Sequence, residues 1–361
     1  MENYRDTYAN VDLDALRRNI AYIHQIAKKP IMAIVKANAY GHGAVEIAKA
    51  ASSMDEIQMF GVATLGEGIE LRNHGITKEI LVIGSSRPED MMIASQRNIS
   101  ISVYSMDDLE KVLSAHFEKP LKVHIKIDTG MNRIGFKGKA DFEEALARLQ
   151  AHPLIQVEGA FTHYGAAEEE NDTYQHQFET FQSIVAGHQF KYLHAANTAG
   201  ALYHHEDLTN LVRVGIALYG IEPNGSDDTP LEQVMSLYTR VVMTKKICAG
   251  EHVGYGFTYQ AKQDEYLATV PIGYADGIIR KNQNREVYIN GRYYQIVGRI
   301  CMDQMMIRVD ENVQVGNLVE IFGPHISLNR MARELETIPY EIICLLSLRV
   351  ARHYIQNGIC E

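Results

Sequence analysis

Between Ile31 and Leu218 the chain repeats one alternation eight times: an apolar run of strand length, then a segment with helical spacing. The runs are Ile31–Val35, Phe60–Thr64, Ile80–Ile83, Ile99–Val103, Leu121–Ile127, Val157–Thr162, Tyr192–Ala196 and Val212–Leu218. The first has the length and β-branching expected of a buried strand. Helical segments stand between the runs, among them Leu65–His74, Pro88–Asn98, Met106–His116, Ala140–His152 and Asn171–His188. A doubly wound open sheet also fits such alternation, but a count of eight predicts an α/β fold of the (β/α)8 TIM-barrel type. A short strand at Val11–Asp14 and an amphipathic helix through Leu16, Ile20, Ile23 and Ile26 precede the repeat.

The texture changes after residue 223. Pro223–Pro230 is rich in turn formers, and strand patterns then dominate: Ser236–Ile247, Glu265–Pro271, Glu286–Ile289, Arg292–Val297, Met305–Val309 and Leu318–Phe322. Asn290-Gly291, between two of them, is a two-residue hairpin signal. Two helices, Ser327–Glu334 and Tyr340–Tyr354, complete the pattern. The expected division is a barrel over residues 1–228 and a mainly β domain over 229–361. A chain of 361 residues has room for both.

Charge narrows the partners. The formal net charge is −10 and no basic run occurs, which argues against nucleic acid or an acidic membrane surface. No apolar run is long enough to span a bilayer, and the N-terminus lacks signal-peptide character; the expectation is a cytoplasmic protein. Cys248, Cys301, Cys344 and Cys360 show no metal-type spacing and are expected to be reduced core thiols, with no metal site.

In a barrel, chemistry gathers where strands end and loops begin. Lys36 stands at such a point, between Ile31–Val35 and the turn formers Asn38, Gly41 and Gly43. An amine held in apolar surroundings is more readily neutral and able to attack a carbonyl; the plain alternative is a stem packed on the strand with its head in water. His124, Lys126 and Asp128 share one strand face, and the loop Asp128–Gly135 carries Arg133, whose planar fork suits a carboxylate. His163 ends the sixth strand. Asn197 and Thr198 stand just before a helix, where they serve a phosphate, cap the helix, or do both. Arg213 lies within the eighth strand, where a charge is costly unless paired, and Gly215 and Ile216 follow at a position where barrels commonly bind phosphate. In the second domain Tyr255 sits between two glycines, and Tyr274 and Met302 lie in turn-like segments.

The string Val35-Lys36-Ala37-Asn38-Ala39-Tyr40-Gly41-His42-Gly43 resembles the cofactor-lysine motif of the bacterial alanine racemases. Asp128–Gly135, Phe161–Tyr164, His194–Thr198, Arg213–Gly220, Tyr255, Ile272–Gly277 and Arg299–Gln304 are similar to further motifs of that family, in the same order. The resemblance implies pyridoxal 5′-phosphate as cofactor, carried by Lys36, with Tyr40, Asn197, Thr198, Gly215 and Ile216 near its phosphate. It implies Arg213 against the ring nitrogen and His163 between Arg213 and a tyrosine base, Tyr255. Arg133 would reach the cofactor's phenolic oxygen and the substrate, and Lys126 matches a family lysine that is often carbamylated. Tyr274 and Met302 would line the substrate entrance. A head-to-tail homodimer is implied, in which Tyr255 and Met302 complete the partner's site.

The implied reaction interconverts L- and D-alanine through two bases, Lys36 and Tyr255, and supplies D-alanine for peptidoglycan. One departure stands out. Ser347-Leu348-Arg349 has leucine where the family commonly has tyrosine, which opens a broader alanine and serine specificity; Thr198 replaces the usual serine and keeps its hydroxyl. Rival readings are a pyridoxal-phosphate decarboxylase, which would oppose the ring nitrogen with an acid rather than Arg213, a non-catalytic pyridoxal-phosphate-binding protein, and a purely structural two-domain protein.

Overall fold

The computed structural model describes residues 5–169 and 171–360. The chain forms two compact units, one of residues 17–39 and 43–218, the other of the N-terminal residues up to Leu16, residues 40–42 and residues 219–361. In chain order the strands through the first unit are β1 (Tyr8–Asp12, which belongs to the other unit), β2 (Ile31–Ile34), β3 (Ile57–Val62), β4 (Glu79–Val82), β5 (Ser100–Val103), β6 (Leu121–Lys126), β7 (Ile155–Phe161), β8 (Tyr192–His194) and β9 (Val212–Val214).

Strands β2 to β9 are the eight expected and pair in parallel, in the order β8-β7-β6-β5-β4-β3-β2-β9. The sheet curls until its ends meet: Arg213 N donates to Ala196 O at 3.0 Å and Asn210 N to Leu193 O at 2.9 Å. This is the barrel rather than the open sheet. Its strands are buried almost throughout, because helices cover them outside and side chains fill them inside. Every barrel strand differs from its expected bounds by a residue or more, and two differ most. The second strand runs Ile57–Val62 instead of Phe60–Thr64, since Thr64 leaves it to cap the helix Leu65–Asn73. The eighth ends at Val214, and Ile216–Tyr219 winds into a 3-10 turn.

The other unit is built on β1 and on β10 (Met235–Arg240), β11 (Met243–Ile247), β12 (His252–Val253), β13 (Tyr259–Gln260), β14 (Glu265–Val270), β15 (Glu286–Ile289), β16 (Arg292–Val297), β17 (Met305–Val309), β18 (Leu318–Phe322), β19 (Ala351–Gln356) and β20 (Ile359–Cys360). Ten of them form one sheet in the order β11-β14-β17-β16-β15-β18-β10-β1-β19-β20. The Asn290-Gly291 turn joins β15 to β16 in antiparallel register, with Ile289 opposite Arg292.

Two expectations in this unit are corrected. Ser236–Ile247 is two strands, not one. At Val241 and Val242 the chain changes neighbours, bonding first to Asn317 O and then to Thr269 O. Tyr340–Tyr354 is not one helix either. The helix Pro339–Cys344 stops, the chain turns, and β19 pairs in parallel with β1. The side chain of Arg352 enforces the turn, donating to the carbonyls of Leu346 (2.9 Å), Ser347 (2.7 Å) and Val350 (2.6 Å). Among the described residues the cysteines form no disulfide, and they are not core residues: Cys248 and Cys344 are exposed and Cys301 is half-buried.

Candidate active site

Lys36 follows β2, whose neighbour in the barrel is β9; Met32 stands beside Arg213 and Ala33 beside Val214. Immediately after Lys36 the backbone does something the turn formers only hinted at. Ala37, Asn38 and Ala39 adopt φ/ψ of 52/50, 54/47 and 52/51 degrees, and Tyr40 has φ 53 degrees. Four successive L-residues in the left-handed region make one turn of left-handed helix. Each such residue costs roughly 1–2 kcal/mol, with Asn the most tolerant. The turn persists because its polar groups are satisfied: Ala39 N bonds to Val35 O (2.8 Å), Gly43 N to Asn38 O (2.9 Å) and Ala44 N to Asn38 Oδ1 (2.8 Å).

Arg213 is buried within β9, and carbonyls and imidazoles rather than a contacting carboxylate satisfy it. Its Nη1 donates to His194 Nδ1 (3.0 Å) and His194 O (3.1 Å). Its Nη2 donates to Thr162 O (2.7 Å), Ala195 O (2.8 Å) and His163 Nδ1 (3.2 Å). None of these five bonds uses Nε. Burial pulls the guanidinium down to about 10, with Tyr164 and Glu206 opposing, so it stays charged at neutral pH. Burial first, and then the Arg213 charge, hold His163 and His194 well below the usual imidazole range. Both rings are therefore neutral and accept at Nδ1, which leaves the proton on Nε2. His194 Nε2 then donates to His124 Nδ1 at 3.0 Å, and His124 is itself buried and pushed down to about 3.

The loop Asp128–Gly135 is closed at its base by Asp128 N to Phe136 O (3.0 Å) and Phe136 N to Lys126 O (2.9 Å). Asp128 Oδ1 accepts from Gly130 N and Asn132 N, both at 3.0 Å, and so shapes the turn that carries the exposed Arg133. Lys126, at the end of β6, is buried. Burial, and then the charges of Arg133, Arg213 and Lys36, bring its amine down to about 7, with Asp128 opposing. Lys36, Lys126, Arg133, His163 and Arg213 are thus near enough to act on one another's titration. Asn197 caps the short helix Thr198–Tyr203 through Gly200 N (3.0 Å), and Thr198 Oγ1 accepts from Gly215 N at 3.0 Å. Gly215 and Ile216 are buried.

The remaining candidates belong to the other unit. Tyr40 is buried with its ring 5.0 Å from that of Tyr219 and 5.9 Å from that of Tyr340, and burial raises its phenol, which remains a donor. Tyr255 sits on a 3-10 turn between Gly254 and Gly256 and is 71% exposed. A side chain at Gly256 would strike Arg299 Nη1 at 2.7 Å. Tyr274 and Met302 are brought together by Tyr274 N to Cys301 O (3.1 Å) and Ala275 N to Met302 O (3.0 Å). Gly273 permits this approach, since a Cβ there would lie 2.3 Å from Cys301 O. The fully buried Asp276 fastens the turn by accepting from Arg5 Nη1 (2.7 Å) and Gly273 N (3.0 Å). Arg349 lies 3.6 Å from Asp276 and donates to Asp303 at 2.7 Å, next to an almost fully exposed Leu348.

Sequence reasoning passed over His194 as a functional group, and also Asp276, Arg349 and Glu67. Thr64-x-x-Glu67 does carry a legible signal, that of a capping box. The histidine chain carries none, because His124 on β6 and His194 on β8 meet only across the intervening strand β7, at Gly159.

Comparison with known proteins gives the family. Residues 11–223 match the model of the alanine racemase N-terminal domain and residues 234–354 that of its C-terminal domain. The chain belongs to the alanine racemase family. It is 43% identical to an alanine racemase of Lactococcus lactis over 97% of this chain and 98% of that protein. The crystal structure of the Bacillus anthracis alanine racemase with bound L-Ala-P superposes with a TM-score of 0.94 at 36% identity, covering 100% of this chain and 97% of that one. A histidine racemase from Leuconostoc mesenteroides superposes with a TM-score of 0.90 at 30% identity, covering 98% and 99%.

The neutral state of His124 and His194 has a consequence for stability. Their folded pKa lies below the unfolded value of about 6.5, so below that pH the unfolded chain takes up protons the folded chain refuses. Stability therefore falls as pH drops through about 6.5. These two groups contribute a loss of about 2–3 kcal/mol between about pH 7 and 5.5. Urea unfolding at the two pH values measures it; a flat profile would mean that the imidazoles are charged in the fold.

Proposed function

We propose that this chain is a pyridoxal-phosphate-dependent racemase that interconverts L-alanine and D-alanine with Lys36 and Tyr255 as its two bases. The observation that carries the reading is the cationic cluster Lys36, Lys126, Arg133 and Arg213 at the C-terminal ends of the barrel strands. Asp128 is the carboxylate acting on Lys126 there, and such an excess of positive charge calls for an anionic guest. A cofactor phosphate and a substrate carboxylate fit that demand. Lys36 would hold the cofactor, and Arg213 would offer its Nε–H to the ring nitrogen. The Thr198 hydroxyl, the Gly215 and Ile216 backbone, Asn197 and Tyr40 would serve the phosphate. When bound, pyridoxal phosphate supplies the electron sink that acidifies the substrate Cα–H.

The protein's part is to hold and move protons. From D-alanine, Lys36 Nζ would take the Cα proton on one face and Tyr255 Oη would deliver a proton to the other; from L-alanine, Tyr255 Oη would take the proton and Lys36 Nζ deliver one. Arg213, charged well above neutrality, keeps its own protons and leaves the ring nitrogen unprotonated, which limits side reactions. His163, neutral at Nδ1 and carrying its proton on Nε2, would link Arg213 to the tyrosine base. Arg133 would orient the substrate carboxylate, and Met302 and Tyr274 would line the entrance. With an amine near 7, Lys126 is partly neutral at physiological pH and able to add carbon dioxide; the resulting carbamate would offset Arg133.

Tyr255, Phe257, Met302 and Leu348 expose 53–86% of their surfaces, unusual for large apolar groups. A homodimer in which Tyr255 and Met302 complete the partner's site accounts for them. Among the described residues no helix is long and apolar enough to cross a membrane. A cytoplasmic enzyme supplying D-alanine for peptidoglycan is consistent with that.

Lys36→Ala should lose the visible absorbance of the cofactor linkage and nearly all turnover; retained activity would sink the assignment. Tyr255→Phe should slow exchange of the L-alanine Cα proton with solvent by roughly 100-fold or more while sparing that of D-alanine. Equal slowing of both would remove the two-base scheme. Leu348 favours a second reading, that of a broader alanine and serine racemase. Leu348→Tyr should then lower the serine-to-alanine ratio of kcat/KM by about tenfold, measured on a panel of L-amino acids.

A further inference from the structure

We infer that Glu67 is a positioning residue for Lys36, an inference that rests on the reading of Lys36 as the cofactor lysine. By sequence Glu67 belongs to the helix Leu65–Asn73, and it does complete a capping box there: Glu67 N donates to Thr64 Oγ1 (3.4 Å) and Thr64 N to Glu67 Oε2 (3.2 Å). Its carboxylate does more than the cap requires. Oε2 also accepts from Ala63 N at 2.7 Å, and Oε1 accepts from Ala37 N at 2.7 Å, across from the next strand's loop. One carboxylate thus gathers three backbone N–H groups from the ends of β2 and β3.

The Ala37 N–H belongs to the peptide that follows Lys36, so its direction is the ψ angle of Lys36 made visible. Fixing it fixes where the Lys36 Cα–Cβ bond points. The site needs such a fixture because the next four residues are left-handed, a conformation that local preference resists. The bonds Ala39 N to Val35 O, Gly43 N to Asn38 O and Ala44 N to Asn38 Oδ1 all come from within the turn or its flanks. Glu67 grips the turn at its start from another barrel element. A carboxylate is suited to this, as it accepts on both oxygens and offers no hydrogen to repel an N–H.

A role confined to helix capping and a role at Lys36 separate cleanly. Thr64→Ala removes the cap and keeps the Glu67–Ala37 bond; Glu67→Ala removes both; Glu67→Gln retains the volume and one acceptor. Three measurements on the holoenzyme distinguish them: hydrogen exchange over residues 31–44, the pH midpoint of the cofactor's visible absorbance, and the Cα-deuterium isotope effect on kcat/KM from each enantiomer. Glu67→Ala, or Glu67→Gln should alanine not fold, should speed exchange at residues 36–40 by tenfold or more and shift the absorbance midpoint. It should raise the isotope effect from D-alanine and shrink it from L-alanine, since only the Lys36 step is slowed. Thr64→Ala should lower the melting temperature and leave all three unchanged.

Unaltered exchange in the Glu67 variants, or equal changes in Thr64→Ala, would overturn the inference. Faster exchange with isotope effects that move alike for both enantiomers would overturn it too. If Lys36→Ala kept the cofactor absorbance, the underlying reading of Lys36 would fail instead, and the exchange result would still report on the turn.

Discussion

A charged guanidinium without a contacting carboxylate, held inside a barrel strand, is the constraint around which the candidate site is arranged. Arg213 stays charged because carbonyls from the ends of β7 and β8 surround it, and burial, reinforced by its charge, keeps two imidazoles neutral. Those imidazoles are thereby fixed in one tautomer, and the direction of every proton in the chain Arg213–His194–His124 follows. A carboxylate in place of either histidine would pin the same arginine more tightly and cancel the positive field that the neighbouring lysines share. The arrangement keeps the field for an incoming anion.

The lysines respond to that field in different ways. Lys126, buried and flanked by Arg133 and Arg213, titrates near neutrality, whereas an ordinary lysine would remain charged. Lys36 is half-buried at the start of a left-handed turn, whose backbone geometry sets where its side chain leaves the strand. Backbone strain at one end of the site and electrostatic strain at the other both persist because rigid strands anchor them.

Much of this was legible in the residues. Eight apolar runs predicted the barrel because parallel strands covered on both sides leave a continuous apolar signature. Polar groups at the ends of those runs stood out against it: Lys36, Lys126, His163, Asn197 and Arg213 are all conspicuous for that reason. What escaped notice depends on long-range pairing. His124 and His194 stand 70 positions apart and meet only once β6, β7 and β8 lie side by side. The strand Ala351–Gln356 was hidden inside a helical pattern because its partner, β1, lies at the other end of the chain. The left-handed turn was hidden as well, since alanine has no preference for that conformation and only the surrounding bonds impose it.

That last pairing bears on how the molecule is made. β1 lies in the ten-stranded sheet between β10 and β19, its partners starting at Met235 and Ala351. During synthesis the opening strand leaves the ribosome with neither partner in existence. At about 5–20 residues per second it waits roughly 10–45 s for the first of them, while the barrel, complete by Leu218, is free to form in the interval. The strand β1 is therefore among the last pieces to find its place, and the sheet that receives it closes only once β19 has been made.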